Sequence, residues 1–252
     1  MHPTLDNEAS QKGQNEVGFR LPDTKQKPDY VQNLFSRVAG YYDLMNDVMS
    51  FGMHRVWKHE AIRKLRLKDN DSVLDVCCGT GDLEAYLHKA NPNIKITGLD
   101  FCQNMLDIAR KRFSEKPYNI DLIQGDAMAL PFPNESFDSV IISYGLRNVA
   151  NYELCLSEMQ RVLKKNGRLV VLDMSHPTPF VAKLSSFYRY VVMPQMGKLV
   201  ANDPDAYRYL SNSIKFYLNQ TELKNLMTGV GLHKVDYENK MGGICAIHWG
   251  SK

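Results

Sequence analysis

Residues 72–82 read Ser72-Val73-Leu74-Asp75-Val76-Cys77-Cys78-Gly79-Thr80-Gly81-Asp82, a short apolar run that leads into a turn with two glycines. An apolar run of this length, followed at once by a glycine turn, is typical of a strand buried in a parallel sheet. The glycines let a ligand approach the backbone closely, and a helix is predicted to begin directly after them. The stretch therefore predicts the first strand and the ligand-binding turn of an α/β domain.

Helical and strand patterns alternate on the carboxyl side of this stretch. Helices are predicted at residues 82–89, 103–113 and 152–165, and the last of them is expected to stop at Asn166-Gly167. Strands are predicted at residues 94–100, 121–124, 137–143 and 168–173. This alternation indicates a mostly parallel sheet with helices on both faces.

The two ends of the chain differ from this alternating middle. Strands predicted at 234–238 and 244–249 form a terminal hairpin, so the expected fold is a Rossmann-like, seven-stranded sheet with an antiparallel C-terminal strand. N-terminal helices are predicted from Tyr30 onward, and residues 176–218 are interpreted as an inserted helical cap. Residues 1–29 are polar and predict a flexible arm before one catalytic domain at 30–252.

The composition excludes several classes of protein. Of the 252 residues, 44% are hydrophobic and 23% are charged, which is typical of a globular protein rather than a disordered one. The net charge of +3 is too small to indicate a nucleic-acid partner, and no apolar run is long enough to cross a bilayer. The N-terminal residues do not form a secretory signal, and the five cysteines form no C-x-x-C pair. We therefore expect a cytoplasmic protein with reduced thiols and no metal site.

The glycine turn is not a dinucleotide-binding turn. Such a turn would carry a third glycine at position 84, where this chain has Glu84, and an acid there suits neither close packing nor a pyrophosphate. An acid at the strand end, three residues and then Gly-x-Gly resembles the cofactor loop of S-adenosylmethionine-dependent methyltransferases. S-adenosylmethionine has no phosphate, and Asp75 would favour its sulfonium cation by Coulomb attraction.

Further cofactor contacts are expected at the carboxyl ends of the strands, where open α/β sheets bind ligands. Asp100 is expected to accept hydrogen bonds from the ribose hydroxyls, and Phe101 to lie against the adenine face. Asp126 and the backbone of Ala127 are expected to bind the adenine edge, and Ser143 to lie beside the methionine moiety. The predicted cofactor residues are Asp75, Gly79, Thr80, Gly81, Asp100, Phe101, Asp126, Ala127 and Ser143.

Several segments narrow the resemblance to one family. Residues 42–57, which include Tyr42-Asp43-Leu44-Met45-Asn46 and His54, are similar to the N-terminal signature of the ubiquinone/menaquinone biosynthesis C-methyltransferase family. Residues 161–175 are similar to its second signature, although Asp173 stands where the family usually has Glu. Further matches lie at residues 130–133, 145–149 and 242–248.

The resemblance implies a class I methyltransferase fold and methylation of a ring carbon of a polyprenylated quinol, with S-adenosylmethionine as the donor. The quinol would be demethylmenaquinol, a 2-methoxy-6-polyprenyl-1,4-benzoquinol, or both. An aromatic carbon is a poor nucleophile until its neighbouring hydroxyl loses a proton, so a base or an electrostatic partner is expected.

Three residues are candidates for that catalytic role. Arg147 follows the fourth predicted strand and could stabilise a developing phenolate, or it could tie two loops together. His54 has the ordinary pKa of a base, but packing beside Trp57 would explain it equally well. Asp43 comes from the same N-terminal helices as His54.

Other interpretations stay open. The aromatic stripe at residues 177–200 is either core packing or a lid that takes the isoprenoid tail and makes transient contact with the inner face of the membrane. A homodimer is compatible with the sequence, and a nucleic-acid partner is not expected. A methyltransferase acting on RNA or on a small-molecule oxygen, an oxidoreductase, and a binding protein without activity are the alternatives; Glu84 disfavours the oxidoreductase.

Overall fold

The computed structural model describes residue 22 and residues 25–115, 118–187 and 204–252. In these residues a seven-stranded sheet has the order β3-β2-β1-β4-β5-β7-β6. The strands are β1 (Ser72–Val76), β2 (Lys95–Asp100), β3 (Ile120–Gln124), β4 (Phe137–Ser143), β5 (Leu163–Met174), β6 (His233–Lys240) and β7 (Cys245–Ser251). Strands β1 to β5 pair in parallel, while β7 is antiparallel to β5 and β6. The predicted mostly parallel sheet with an antiparallel last strand is confirmed.

Helices cover the sheet and its carboxyl edge. They are α1 (Lys27–Val38), α2 (Tyr42–Ser50), α3 (Met53–Leu65), α4 (Asp82–Ala90), α5 (Gln103–Phe113), α6 (Tyr152–Val162), α7 (Pro179–Phe187), α8 (Pro204–Lys215) and α9 (Gln220–Gly229). Short 3-10 turns lie at Ala39–Tyr41, Leu146–Asn148 and Met241–Gly243. Helix α1 begins at Lys27, and residues 1–21, 23 and 24 of the predicted arm lie outside the described residues. The same holds for residues 188–203 of the predicted cap.

Alternate residues of the central strands build two cores, one on each face of the sheet. Leu74 and Val140 pack in the core that contains α6 and α9, whereas Val73 and Ile141 pack in the core that contains α3 and α4. Successive side chains of a strand point to opposite faces, so a strand buried on both faces needs a continuous apolar run. This requirement explains the apolar stretch at residues 72–76.

A third apolar cluster brings the N-terminal helices to the carboxyl edge of the sheet. Leu34 and Val38 of α1 pack there with Met105 of α5 and Tyr209 of α8. Strand β1 lies between β2 and β4. The chain runs outward from β1 through β2 and β3 on one side, and then crosses to β4 and β5 on the other side. Such a switch point leaves a crevice beyond the carboxyl ends of the strands. The N-terminal helices therefore lie beside the expected ligand site.

The prediction for residues 163–165 is wrong. These residues begin β5 rather than end α6, and Leu163 pairs with Phe137 of β4. Asn166 adopts a left-handed conformation (φ 63°), but its N–H donates to the carbonyl of Lys252. The Asn166-Gly167 pair thus interrupts the register within a strand. Local sequence favours a helix end there, and pairing with the neighbouring strand overrides that preference.

None of the helices in the described part of the chain is long and apolar enough to cross a membrane.

Candidate active site

A cavity lies beyond the carboxyl ends of β1 to β4. The strand ends contribute Gly79, Asp100, Asp126 and Ser143, and the short turn after β4 contributes Asn148. Helix α1 closes one side of the cavity with four further residues, Pro28, Val31, Gln32 and Phe35. The cavity therefore combines the sheet edge predicted to bind the cofactor with the first of the N-terminal helices.

The glycine turn after β1 is held by Asp100 at the end of β2. Gly79 N–H donates to Oδ2 of Asp100 over 2.8 Å, and Cys102 N–H donates to Oδ1 over 2.8 Å. Burial raises the pKa of Asp100, and these two backbone hydrogen bonds act against the rise. A carboxylate offers about four lone-pair positions, so each oxygen keeps capacity to accept a ribose hydroxyl.

The two glycines of the turn have different physical roles. Both have positive φ, 59° at Gly79 and 79° at Gly81, which favours glycine. A Cβ on Gly79 would meet no protein atom within 4 Å, and Gly79 lines the cavity. A Cβ on Gly81 would lie 2.7 Å from the ring of Phe113. Gly79 therefore leaves room for a ligand, and Gly81 leaves room for α5.

Asp43 ties the N-terminal helices to this turn. Its Oδ1 accepts a hydrogen bond from Thr80 Oγ1 over 2.6 Å, and its Oδ2 pairs with Arg112 of α5. Neither Asp43 nor Thr80 lines the cavity. Asp43 therefore connects α2 to the turn through Thr80 and to α5 through Arg112.

His54 belongs to a neighbouring polar cluster. Its Nε2 lies 2.8 Å from Oδ1 of Asp47, and the same carboxylate receives Nε of Arg55 over 2.7 Å. Burial lowers the pKa of His54, so the neutral imidazole is favoured. Its Nδ1 is buried and has no hydrogen-bond partner within the described residues. His54 does not line the cavity, and its nearest polar partner is Asp47.

Asp75 and Glu84 form a buried acidic pair beneath the turn. Both side chains are almost completely buried, and among the described residues no group forms a hydrogen bond of normal geometry with Oδ1 of Asp75 or with either oxygen of Glu84. Burial raises the pKa of Glu84 to about 7. Burial and the charge of Glu84 raise the pKa of Asp75 well above its usual range. Two carboxylates in one buried site resist ionising together, so the pair favours holding a proton.

Close packing at position 84 is achieved through the strand instead of the helix. A Cβ on Gly98 of β2 would lie 2.3 Å from Oε1 of Glu84, so the missing side chain at Gly98 makes room for the carboxyl group. The expectation that an acid at position 84 would not pack closely is therefore wrong. The glycine that allows close packing here is Gly98 on β2, not a third glycine in the turn.

Arg147 is buried in an ion pair behind the cavity wall. Its Nη1 lies 2.8 Å from Oδ1 of Asp173, its backbone N–H donates to Oδ2 of Asp173, and Nη1 also donates to the carbonyl of Tyr144. Its Nε is buried, and no described residue accepts a hydrogen bond from it. Arg147 does not line the cavity, although its neighbours Gly145 and Asn148 do.

The structure divides the predicted site residues into two groups. Those that line the cavity are Gly79, Asp100, Phe101, Asp126, Ala127 and Ser143. Those that lie behind its wall are Asp43, His54, Asp75, Thr80, Gly81 and Arg147. Sequence reasoning missed Lys27, Asn148 and Tyr209, which connect distant elements. The Gly145–Val149 match to the family was the one signal that could have pointed to Asn148.

The lining residues suit S-adenosylmethionine. Ser143 Oγ is buried at the cavity and has no hydrogen-bond partner in the described part of the chain, so a polar ligand would satisfy it. Asp126 uses Oδ1 to accept from Met128 N–H over 2.8 Å, which leaves Oδ2 for an amino group. Phe101 offers a half-exposed aromatic ring at the same edge. Across the described residues, no group of three or more His, Cys, Asp or Glu side chains is arranged to hold a metal ion.

The fold and this site define a class I S-adenosylmethionine-dependent methyltransferase. A crystal structure of an S-adenosylmethionine-dependent methyltransferase from Thermotoga maritima shares the fold, with a TM-score of 0.62 and 21% identity over 87% of this chain and 99% of that one. The [4+2]-cyclase SpnF also shares it, with a TM-score of 0.65 and 17% identity over 88% of this chain and 94% of that one. The fold alone therefore does not fix the reaction.

The chain belongs to the ubiE/COQ5 methyltransferase family, whose sequence model matches residues 23–252. It is similar to the ubiquinone/menaquinone biosynthesis C-methyltransferase UbiE of Hahella chejuensis, with 42% identity over 93% of this chain and 96% of that one. The family resemblance seen in the sequence signatures is thereby confirmed.

The two glycines of the turn should respond differently to alanine. Gly79→Ala should weaken binding of S-adenosylhomocysteine at least tenfold, since about 1.4 kcal/mol is enough for that change, and it should cost about 1 kcal/mol of stability for the left-handed backbone. Gly81→Ala should cost more stability because of the clash with Phe113. Calorimetry and thermal unfolding measure the two effects, and equal loss of affinity at equal stability in both variants would contradict the assignment.

Glu84→Gln should remove a pH dependence of stability. The folded-state pKa of Glu84 is about 7 against an ordinary value of 4.5, so the folded protein binds this proton more tightly than the unfolded chain. The stabilisation is complete below the ordinary pKa and is lost as the pH rises through about 7, at up to about 1.4 kcal/mol per pH unit. Urea unfolding from pH 4.5 to 8 should show wild type losing stability relative to Glu84→Gln. The exposed Glu153→Gln is the control, and parallel curves for all three proteins would refute the prediction.

Proposed function

We propose that this protein transfers the methyl group of S-adenosylmethionine to a ring carbon of a polyprenylated quinol in menaquinone or ubiquinone biosynthesis. The observation that carries the proposal is the 42% identity, over nearly the full length of both chains, to a protein named as a ubiquinone/menaquinone biosynthesis C-methyltransferase. The cavity supports it, since the predicted cofactor contacts and an aromatic-lined wall open into the same space. The acceptor is demethylmenaquinol, a 2-methoxy-6-polyprenyl-1,4-benzoquinol, or both.

The proposed cofactor contacts use hydrogen-bonding atoms that are not fully occupied within the protein. The bound cofactor supplies an electrophilic methyl group on a sulfonium sulfur. Asp100 accepts the ribose hydroxyls with lone pairs that Gly79 and Cys102 do not use. Ser143 takes the polar end of the methionine moiety, and Asp126 with Ala127 takes the adenine edge. Tyr42 and Tyr144, which line the same cavity, position an aromatic acceptor.

The acceptor ring must be the reduced quinol. A ring carbon becomes nucleophilic when its neighbouring hydroxyl loses a proton, and a quinone has no such hydroxyl. A guanidinium is always protonated, so Arg147 serves as an electrostatic partner for the developing phenolate and not as the base. Asp173 neutralises much of the charge of Arg147, and the ion pair also fixes the turn at Leu146–Asn148, whose Asn148 lines the cavity. Asp43 holds α2 against the cofactor turn, and His54 connects α3 to Asp47 of α2.

The acceptor class also implies contact with a membrane surface. A polyprenylated quinol is dissolved in the bilayer, and the enzyme must reach it there. Phe180 of α7 is 92% exposed and Met241 is 53% exposed. Thr178 N–H donates to the carbonyl of Gly242, which joins the segments that carry these two side chains. We propose transient contact with the inner face of the membrane at this surface. Residues 188–203 of the predicted cap lie outside the described residues and are not part of this proposal.

Methyl transfer to a quinol can be tested directly. Anaerobic incubation with S-adenosylmethionine and each reduced, demethylated quinol should give a product one methyl group heavier, detected by mass spectrometry. The oxidised quinones, which lack the hydroxyl needed for activation, are the matched controls and should stay unmethylated. Methylation of neither quinol would refute the proposal, as would equal methylation of quinol and quinone.

The membrane surface makes a separate prediction. Phe180→Ser should reduce pelleting with phosphatidylethanolamine–phosphatidylglycerol vesicles, because an exposed aromatic side chain contributes much of its apolar area to such contact. Leu154→Ser, on α6, replaces another exposed apolar residue and should leave pelleting unchanged. Equal pelleting of wild type and Phe180→Ser would contradict the placement.

A further inference from the structure

The Leu146–Asn148 turn at the cavity wall is held by elements from three parts of the chain. From α1, Nζ of Lys27 donates to the carbonyls of Arg147 and Val149 over 3.1 and 2.7 Å. From β5, Asp173 binds Arg147. From α8, the hydroxyl of Tyr209 donates to Oδ1 of Asn148 over 3.2 Å. Contacts from α1, β5 and α8 therefore fix the conformation of this turn.

The contacts of Asn148 determine which way its amide points. Nδ2 lies 3.2 Å from the carbonyl oxygen of Tyr144, and a carbonyl oxygen can only accept a hydrogen bond. The Tyr144 contact therefore favours the amide with Nδ2 on its side, and the Tyr209 hydroxyl holds Oδ1 on the other side. Burial raises the pKa of the Tyr209 phenol, so this hydroxyl stays a neutral donor throughout the working pH range. A flipped amide would place two acceptors, Oδ1 and the Tyr144 carbonyl, against each other.

This orientation has a chemical use because Asn148 lines the cavity. One hydrogen of Nδ2 is used by Tyr144, and the second remains to donate. A preoriented N–H beside an acceptor ring stabilises negative charge as it develops on a ring oxygen. The benefit depends on the amide being held before the acceptor arrives, because a freely rotating amide presents its oxygen as often as its nitrogen.

We propose that Tyr209 is a positioning residue for methyl transfer, which holds the Asn148 amide with an N–H directed to the oxygen of the acceptor ring. The inference rests on the proposed function. It assigns a role in catalysis to α8, a helix that lies in the predicted cap and contacts the turn after β4.

The structure provides a matched pair of variants. Tyr209 is 2% exposed and its ring packs 5.4 Å from that of Tyr30, so Tyr209→Phe keeps the packing and removes one hydrogen bond. Tyr217 is 4% exposed and its ring packs 5.5 Å from that of Tyr152, but its hydroxyl has no hydrogen-bond partner among the residues that the structure describes. Tyr217→Phe therefore removes the same atom from a similarly buried ring without breaking a hydrogen bond.

Steady-state kinetics with the reduced quinol tests the proposal. Tyr209→Phe should lower kcat about 3- to 10-fold, the effect of one neutral hydrogen bond, with no more than about a twofold change in the affinity for S-adenosylhomocysteine. Tyr217→Phe should match wild type. In an Asn148→Ala background, Tyr209→Phe should have no further effect, because its partner is gone. Equal kcat for the two Tyr variants, or an undiminished effect in the Asn148→Ala background, would overturn the proposal.

A second measurement does not depend on turnover. In protein labelled with ¹⁵N-asparagine, the side-chain amide signals of Asn148 are identified by their loss in Asn148→Ala. These signals should shift in Tyr209→Phe and stay in place in Tyr217→Phe, and unmoved signals in both would overturn the inference. A wild-type enzyme that methylates neither quinol refutes the proposed function, whereas methylation of quinol with equal Tyr variants refutes this inference alone.

Discussion

The carboxylate of Asp100 joins the two loops from which the cofactor site is built. Each oxygen accepts a backbone N–H from a different loop, Gly79 after β1 and Cys102 after β2. These parallel strands end side by side, and the loops that follow them diverge beyond the sheet. The backbone N–H groups of these loops are no longer paired within the sheet and need other acceptors. One carboxylate satisfies both and still faces the cavity. The glycine turn that Asp100 holds also carries Thr80, whose contact with Asp43 connects the turn to the N-terminal helices.

The sequence was sufficient to predict the parts of the fold that depend on local periodicity. The apolar run at β1 and the glycine turn after it were recognisable because burial on both faces and positive φ limit the residues allowed. The start of β5 at Leu163 was not, because its pairing with Phe137 competes with a local preference for a helix end. The sequence also predicted that Asp100 and Asp126, two acids at strand ends, face the ligand site, and both line the cavity.

Contacts between residues far apart in the chain account for most of what the sequence could not predict. Asp43 and Thr80 look like separate site residues in the sequence, and their hydrogen bond appears only when α2 packs beside the turn. Lys27 lies within the predicted arm, yet α1 brings it to the carbonyls that follow β4. Burial and the charge of Arg147 lower the pKa of Lys27 to about 8, which shows how closely the helix is packed against the wall. The spacing of residues in the sequence does not predict such long-range contacts.

The packing of Glu84 against Gly98 has a consequence for how this family can vary. The carboxyl group of Glu84 fills the space that a side chain at position 98 would need. The two positions therefore share one volume, and neither can change freely without the other. A larger residue on β2 requires a smaller one on α4, and a relative with a small residue at the position of Glu84 gains room for a side chain on the strand. Substitutions at the two positions should thus appear together across the family, as a single compensated exchange of volume beneath the cofactor turn.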